Sequence, residues 1–446
     1  MITAVDTDFT IPVGIPTRVV LLRRDALEAL PSALHAVQLP PGSTGLLVED
    51  ARTRLAAGRR VKNVLVDGGF FVNPCFLSDN VYGTVDADDD NLMHVCGAAG
   101  ADTDFIIGVG SGVINDQAKL AAARVGKPYI AVVTAASVNG YGSPVAAVLQ
   151  DGIKRTLPAA ATDVIVADLD VIATAPREMT RSGFADILSK HSAGADWMLA
   201  HLVRNEGYDP RVNELLAPAV QEAASHAETI GRATTEGVTV LMQSLIQSAF
   251  AMALAGHSSP ASGGEHLLSH YWDMAAHLHH RALHLHGFQV AIATRLCSLL
   301  YQRVFQLNRD QINVERCVQR WLPWPKRSKQ LRQVHGPLYP IIEAEAKKQY
   351  LQRDQLQSEL THIRDNWDQI REAVSPLLLM PDELFDLHQA AAIPTTASAI
   401  GQSIDSVSHA FRHAADVRVR FTVLDLAGEL GILEHGADEI VTDARI

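Results

Sequence analysis

Apolar residues follow two rhythms along this chain of 446 residues. In the first part they come in short runs rich in Val, Ile and Leu: RVVLL at 18–22, GLLVED at 45–50, KNVLVDG at 62–68, DFIIGVG at 104–110, YIAVVTAAS at 129–137 and DVIVADLD at 163–170. Each is bounded by turn residues or by a helical pattern, and each predicts a strand. Residues 112–127, GVINDQAKLAAARVGK, predict a helix that stops at Gly126, Lys127 and Pro128. This alternation predicts a parallel, doubly wound, Rossmann-like sheet. From Pro176 the strand signals fade. Long Leu-, Ala-, His- and Gln-rich segments with a 3.6-residue period run to about Glu434, interrupted at Pro323, Pro325, Gly336 and Pro337. The pattern divides the chain into an α/β domain over 1–175 and an all-α domain over 176–446, as two domains would be expected at this length.

Composition narrows the class. Charged residues make up 20% and apolar residues 47%, the balance of a soluble enzyme rather than of a disordered or fibrous chain. A formal net charge of −12 argues against a nucleic-acid or membrane-surface binder, which needs a basic field. The locally basic stretch 316–332 reads as a solvated face. Cys75, Cys96, Cys297 and Cys317 form no CxxC pair, so neither a disulfide framework nor a zinc ribbon is expected, and a reducing cytoplasm fits. No basic-then-apolar leader opens the chain, and no apolar run approaches the roughly 18 residues that span a bilayer.

Two constellations carry chemistry. The first is GVGSGVINDQAK, 108–119, a glycine-rich turn between a strand and a helix, of the kind that lets backbone N–H groups approach a pyrophosphate at a helix N-terminus. Glycines also make tight βα turns for structural reasons alone. The next strand, however, ends in TAAS, where the hydroxyls of Thr134 and Ser137 would face the same crevice. Asp50, ending an earlier strand, could accept from an adenosine ribose or be a solvated turn residue, and Arg52 could meet a 2′-phosphate. The second constellation centres on SGFADILSKHSAGADW, 182–197, where Asp186 lies in an amphipathic helical pattern. With His266 of GGEH and His286 of HGFQVAIAT it would present one carboxylate and two imidazoles to a divalent cation. With 19 histidines in the chain, spacing alone does not separate His286 from His277, His279, His280 and His284.

Taken together, GSGVINDQAK, TAASVNGYGSPVA, DGIKRTLPA, ADLDVIATAPREMTRSGFADILSKHSAGADW, SGGEHLLSHYWDM and HGFQVAIAT resemble the sn-glycerol-1-phosphate dehydrogenase family. That family includes archaeal and AraM-like bacterial enzymes, within the superfamily of iron-containing alcohol dehydrogenases and dehydroquinate synthase. The resemblance runs in order from about Asp104 to Thr294. It implies an α/β nucleotide domain followed by a helical domain, with the active site in the cleft between them, and a homodimer or larger assembly.

Carried over residue by residue, it implies that Asp186, His266 and His286 are metal ligands and that Gly110, Ser111 and Gly112 form the pyrophosphate loop. Asn115 and Asp116 match the next positions of that motif, and Thr134 and Ser137 resemble cofactor contacts. Lys190 and His270 are candidates for holding substrate. The implied cofactors are NAD or NADP and one divalent ion, with zinc, iron and nickel all compatible. The implied reaction interconverts dihydroxyacetone phosphate and sn-glycerol 1-phosphate or a related polyol phosphate. One position departs from the family: its SMDGY-like motif reads SVNGY here, and Asn139 can hydrogen-bond but cannot ionise. Two other readings stay open, a cyclase or lyase using NAD transiently, as dehydroquinate synthase does, and a non-catalytic descendant.

Overall fold

The computed structural model describes residues 9–150 and 152–446. Its strands are β1 (Val19–Arg23), β2 (Thr44–Glu49), β3 (Phe71–Phe76), β4 (Phe105–Gly110), β5 (Tyr129–Val133), β6 (Val145–Gln150), β7 (Ile153–Pro158) and β8 (Thr162–Asp168). Six of them form one parallel sheet in the order β1-β8-β5-β4-β2-β3, and β6 and β7 pair antiparallel as a separate hairpin. The apolar runs at 18–22, 45–50, 104–110, 129–137 and 163–170 supply β1, β2, β4, β5 and β8, each mostly buried. A parallel sheet is covered on both faces, which is why these strands read as continuous apolar runs.

KNVLVDG is not a strand: it lies in the helix Arg59–Asp67, where Val61 and Leu65, four residues apart, are the buried pair. Its length and β-branched content mimic a strand, but Leu65 is its one buried residue, a helical turn after the buried Val61 that precedes it. The strand it displaced is β3, FVNPCF, an edge strand exposed along most of its length. Pro74 is tolerated there because one side of an edge has no ladder to donate to.

The chain forms two compact units. The first comprises 1–187, 214–258 and 390–393, and the second 188–213, 259–389 and 394–446. Besides the sheet and hairpin, the first unit contains α1 (Gly112–Val125), α2 (Arg177–Leu188) and the long helix Thr235–Ala255. That last helix is long and apolar enough to cross a membrane, contrary to the expectation that no run reaches that length. Most of it is buried, with Leu241, Leu245, Ile246 and Phe250 fully enclosed, as a core helix of a folded unit requires. The second unit is helical throughout and includes α3 (Lys190–Arg204), α4 (Gly264–Leu278) and α5 (His286–Phe305).

Two buried histidines in the second unit tie its stability to pH. Burial, with the charge of Arg295 adding to it, pushes His388 down to about 3, and neither ring nitrogen has a hydrogen-bond partner. Burial likewise brings His413 down to about 3 against the opposing pull of Asp416. A base whose folded pKa is depressed is protonated first in the unfolded chain, so stability is lost as pH falls from about 6.5 toward 3, at up to about 1.4 kcal/mol per pH unit per site. His388→Leu is therefore expected to show a flatter fall in melting temperature between pH 6.5 and 5 than the unaltered chain. An unchanged slope would remove His388 from this account.

Candidate metal and dinucleotide site

β4 and β5 are neighbours in the sheet, so the loops that leave their C-terminal ends lie side by side. Thr134 N–H donates to Gly110 O at 3.1 Å, and Ser137 Oγ to Ser111 Oγ at 3.1 Å. Ser111 precedes α1 in extended backbone and makes no side-chain cap to that helix. Its first-turn amides thus lack the side-chain oxygen that usually satisfies them, the arrangement that receives a phosphate. At Gly110 a Cβ would run into the Ile114 side chain, so only glycine lets the strand turn so closely into the helix. Gly112 packs more loosely, against Val138.

Asn115 and Asp116 are engaged with the loop that follows β5. Asn115 Nδ2 donates to Gly140 O at 3.2 Å, its Oδ1 accepts from Tyr129 OH at 3.1 Å, and Asp116 Oδ2 accepts from Ala147 N–H at 3.1 Å. Beside them is a residue that sequence reasoning passed over. Lys119 is fully buried, and its Nζ donates to Gly140 O at 2.7 Å and to Ser143 Oγ at 3.0 Å, with Asp116 Oδ1 at 3.7 Å. Burial pulls the Lys119 ammonium below its usual pKa while Asp116 opposes the shift. The available signal was its place in the motif, three residues after Asp116 on the same helical face.

This network clamps the loop carrying Asn139, whose backbone N–H donates to Asp186 Oδ2 at 3.1 Å and whose Nδ2 donates to Ser248 Oγ at 3.0 Å. Replacing Lys119 with Met leaves Gly140 O and Asp116 without their buried cation, at an expected cost of about 2–3 kcal/mol. Urea unfolding measures it, and a loss under about 0.5 kcal/mol would show that the loop does not depend on Lys119.

Asp186 lies in the last turn of α2 and is 1% exposed. His266 is in the first turn of α4, and His286 is the first residue of α5. The His266 and His286 rings stand 5.1 Å apart between centroids, and His270, one turn after His266, lies 6.4 Å and 6.5 Å from them. One ligand atom each from Asp186, His266 and His286 falls within 4.8 Å of the others; no other such group of His, Cys, Asp or Glu occurs among the described residues. Of the crowded histidines, only His286 is drawn in. His277, His279, His280 and His284 are not part of the group.

The three candidate ligands have built supports. Glu265 is fully buried, and its Oε1 accepts from Gly263 N–H at 2.7 Å and lies 2.8 Å from His266 Nδ1, while Oε2 accepts from Ser192 Oγ at 2.8 Å. Burial alone would raise the Glu265 pKa, but His266, Gly263 and Ser192 together hold it below the usual carboxylate value. Asp196 accepts from Gly264 N–H, Tyr301 OH and Val423 N–H, yet burial and the neighbouring Glu265 charge push it up to about 7. Gly263 is required here because a side chain would collide with the Asp196 and Glu265 carboxylates. For His286, Nδ1 is 3.0 Å from Ser269 Oγ, which donates onward to Gln289 Oε1 at 2.7 Å.

The other expected residues take these places. Lys190 is 3% exposed and donates to Ala261 O at 2.9 Å and Ser189 Oγ at 3.1 Å. Asp50 is buried as the cap of the short helix 51–53, its Oδ1 accepting from the N–H groups of Arg52 and Thr53. Arg52 in turn pairs with Asp50 and Asp79.

The family model described as "Iron-containing alcohol dehydrogenase" matches residues 22–176, the part that holds the glycine-turn helix and most of the parallel sheet. Solved structures agree at the level of fold. An iron-containing alcohol dehydrogenase from Thermococcus thioreducens aligns with TM-score 0.62 and 11% identity over 98% of this chain and 99% of that one. A glycerol dehydrogenase from Schizosaccharomyces pombe aligns with TM-score 0.59 and 16% identity, over 99% and 92%.

Sequence relatives are more specific. Proteins named glycerol-1-phosphate dehydrogenase [NAD(P)+] are 38% identical over 285 residues in Halalkalibacterium halodurans, covering 63% of this chain and 70% of the relative. Those of Bacillus subtilis (36%, covering 63% and 71%) and Methanosarcina mazei (32%, covering 66% and 80%) also match. The chain belongs to the glycerol-1-phosphate dehydrogenase family.

Proposed function

We propose that this chain is a divalent-metal-dependent, NAD(P)-linked oxidoreductase that interconverts dihydroxyacetone phosphate and sn-glycerol 1-phosphate or a closely related polyol phosphate. The observation that carries the reading is the convergence of Asp186, His266 and His286 to within 4.8 Å. One carboxylate and two imidazoles, all three shielded from bulk water to a large degree, suit zinc, iron or nickel. Such an ion polarises a ketone oxygen, and a nicotinamide supplies the hydride.

The chain's own residues would do the rest. Glu265 and Ser269 commit the Nδ1 atoms of His266 and His286, which makes Nε2 the nitrogen each ring presents to a cation. Gly110, Ser111 and Gly112 would hold the pyrophosphate at the head of α1, with Thr134 and Ser137 beside it. His270 and Lys190 are the candidates for orienting the substrate. Asn139 keeps its loop in place by donating to Ser248, and the Asp of the related motif could accept from Ser248 in the same geometry. A cytoplasmic location and a homodimer or larger assembly complete the proposal, the former supported by four cysteines that form no disulfide.

The test follows nicotinamide absorbance with dihydroxyacetone phosphate and NADH or NADPH, with and without added zinc, iron or nickel. Metal-dependent loss of absorbance is expected. Tight binding of the dinucleotide without turnover of any polyol phosphate would overturn the proposal.

A further inference from the structure

The helical unit holds a cavity of about 580 Å³, lined by residues of that unit alone. Part of its wall is aromatic. Trp321 and Tyr350 stack with ring centroids 5.9 Å apart and 19° between their planes, and Trp324 meets Tyr350 edge-on at 5.0 Å. The polar ends of two of these rings are already used by the backbone: Trp321 Nε1 donates to Leu351 O at 2.8 Å, and Tyr350 OH donates to Leu322 O at 2.9 Å. Their apolar faces are what remains for a guest, in a volume typical of small-molecule pockets, about 300–1,000 Å³.

Four arginines and four acids also line the cavity, and three of the arginines have a carboxylate partner. Arg204 pairs with Glu359 and Glu429, Arg327 with Asp416, and Arg412 with Asp438. Arg320 has no carboxylate partner among the described residues; its Nη2 donates to Leu430 O at 2.9 Å and to Cys317 Sγ at 3.5 Å. Among the arginines of the lining, Arg320 is the one left to meet an anionic guest.

We propose that this cavity is a second ligand site, separate from the metal ligands, that takes a planar aromatic molecule bearing a carboxylate. The ring would lie against Trp321, Trp324 and Tyr350, and the carboxylate would pair with the Arg320 guanidinium through Nη1, since Nε is enclosed and Nη2 already donates.

Calorimetric titration of the full-length, metal-loaded protein with 2-naphthoate tests this. Saturable binding is expected, with 2-naphthamide, of the same shape but neutral, at least about ten-fold weaker. Arg320→Gln should bring naphthoate to the affinity of the amide, while Asp186→Ala should leave naphthoate binding unchanged. The carboxylate-to-amide comparison uses the unaltered chain, so poor folding of a variant does not blunt it. No saturable heat into the millimolar range, equal affinity for acid and amide, or loss of binding in Asp186→Ala with retention in Arg320→Gln would each overturn the proposal.

Discussion

Asp186→Ala is expected to purify with less than about a tenth of the divalent metal of the unaltered chain, and to lose about a thousand-fold or more in metal-dependent turnover. The carboxylate is the only anion in the Asp186, His266 and His286 group, so its removal takes away both a ligand atom and the charge that offsets the cation. The companion variant Asp186→Asn separates that role from a structural one. Asp186 Oδ2 accepts the backbone N–H of Asn139, and an amide oxygen can still accept it whereas Ala cannot. Both variants should lose metal by elemental analysis, but only Ala should lose a further 1–3 kcal/mol or so of stability in urea. Full metal stoichiometry in either variant would sink the ligand assignment.

The second large effect is expected one residue before a candidate ligand. Glu265→Ala should weaken metal binding by about 10–100-fold, with Glu265→Gln nearer the lower end. Glu265 touches His266 Nδ1, Gly263 N–H and Ser192 Oγ at once, so it fixes the tautomer and the angle of the His266 ring. Gln preserves the shape and most of these contacts but not the charge. Competition with a chelator of known affinity reads the change directly. Equal affinity in the Ala variant would mean that His266 is held by packing alone.

The difference between these two residues illustrates what a linear reading catches. Asp186 stood out because a carboxylate in an otherwise amphipathic pattern needs a reason to be there. Glu265 was visible in GGEH but drew no role, since nothing in that tetrapeptide reveals Asp196, Ser192 and Tyr301 packed around it. Lys119 escaped for a related reason: a lysine in a helix is ordinarily solvated, and only the loop folded over it turns it into a buried donor. At the sheet edge, FVNPCF has too little burial to produce an apolar run, while KNVLVDG has enough β-branched residues to imitate one. Periodicity reports burial, so it is dependable at the sheet centre and misleading at its margin.

The family resemblance named the candidate ligands, while local order in the chain was enough to determine the βα alternation of the first part, the helix after the glycine turn and the helical character of the rest. Each of these is written in the spacing of apolar side chains or in the chemistry of a single residue. The tertiary structure decided the strand order, the return of 214–258 and 390–393 to the first unit, and the meeting of Asp186, His266 and His286 to within 4.8 Å. Those outcomes depend on contacts between residues far apart in sequence, whose partners are selected by the packing of whole elements, and a side chain's own neighbours carry no record of that choice.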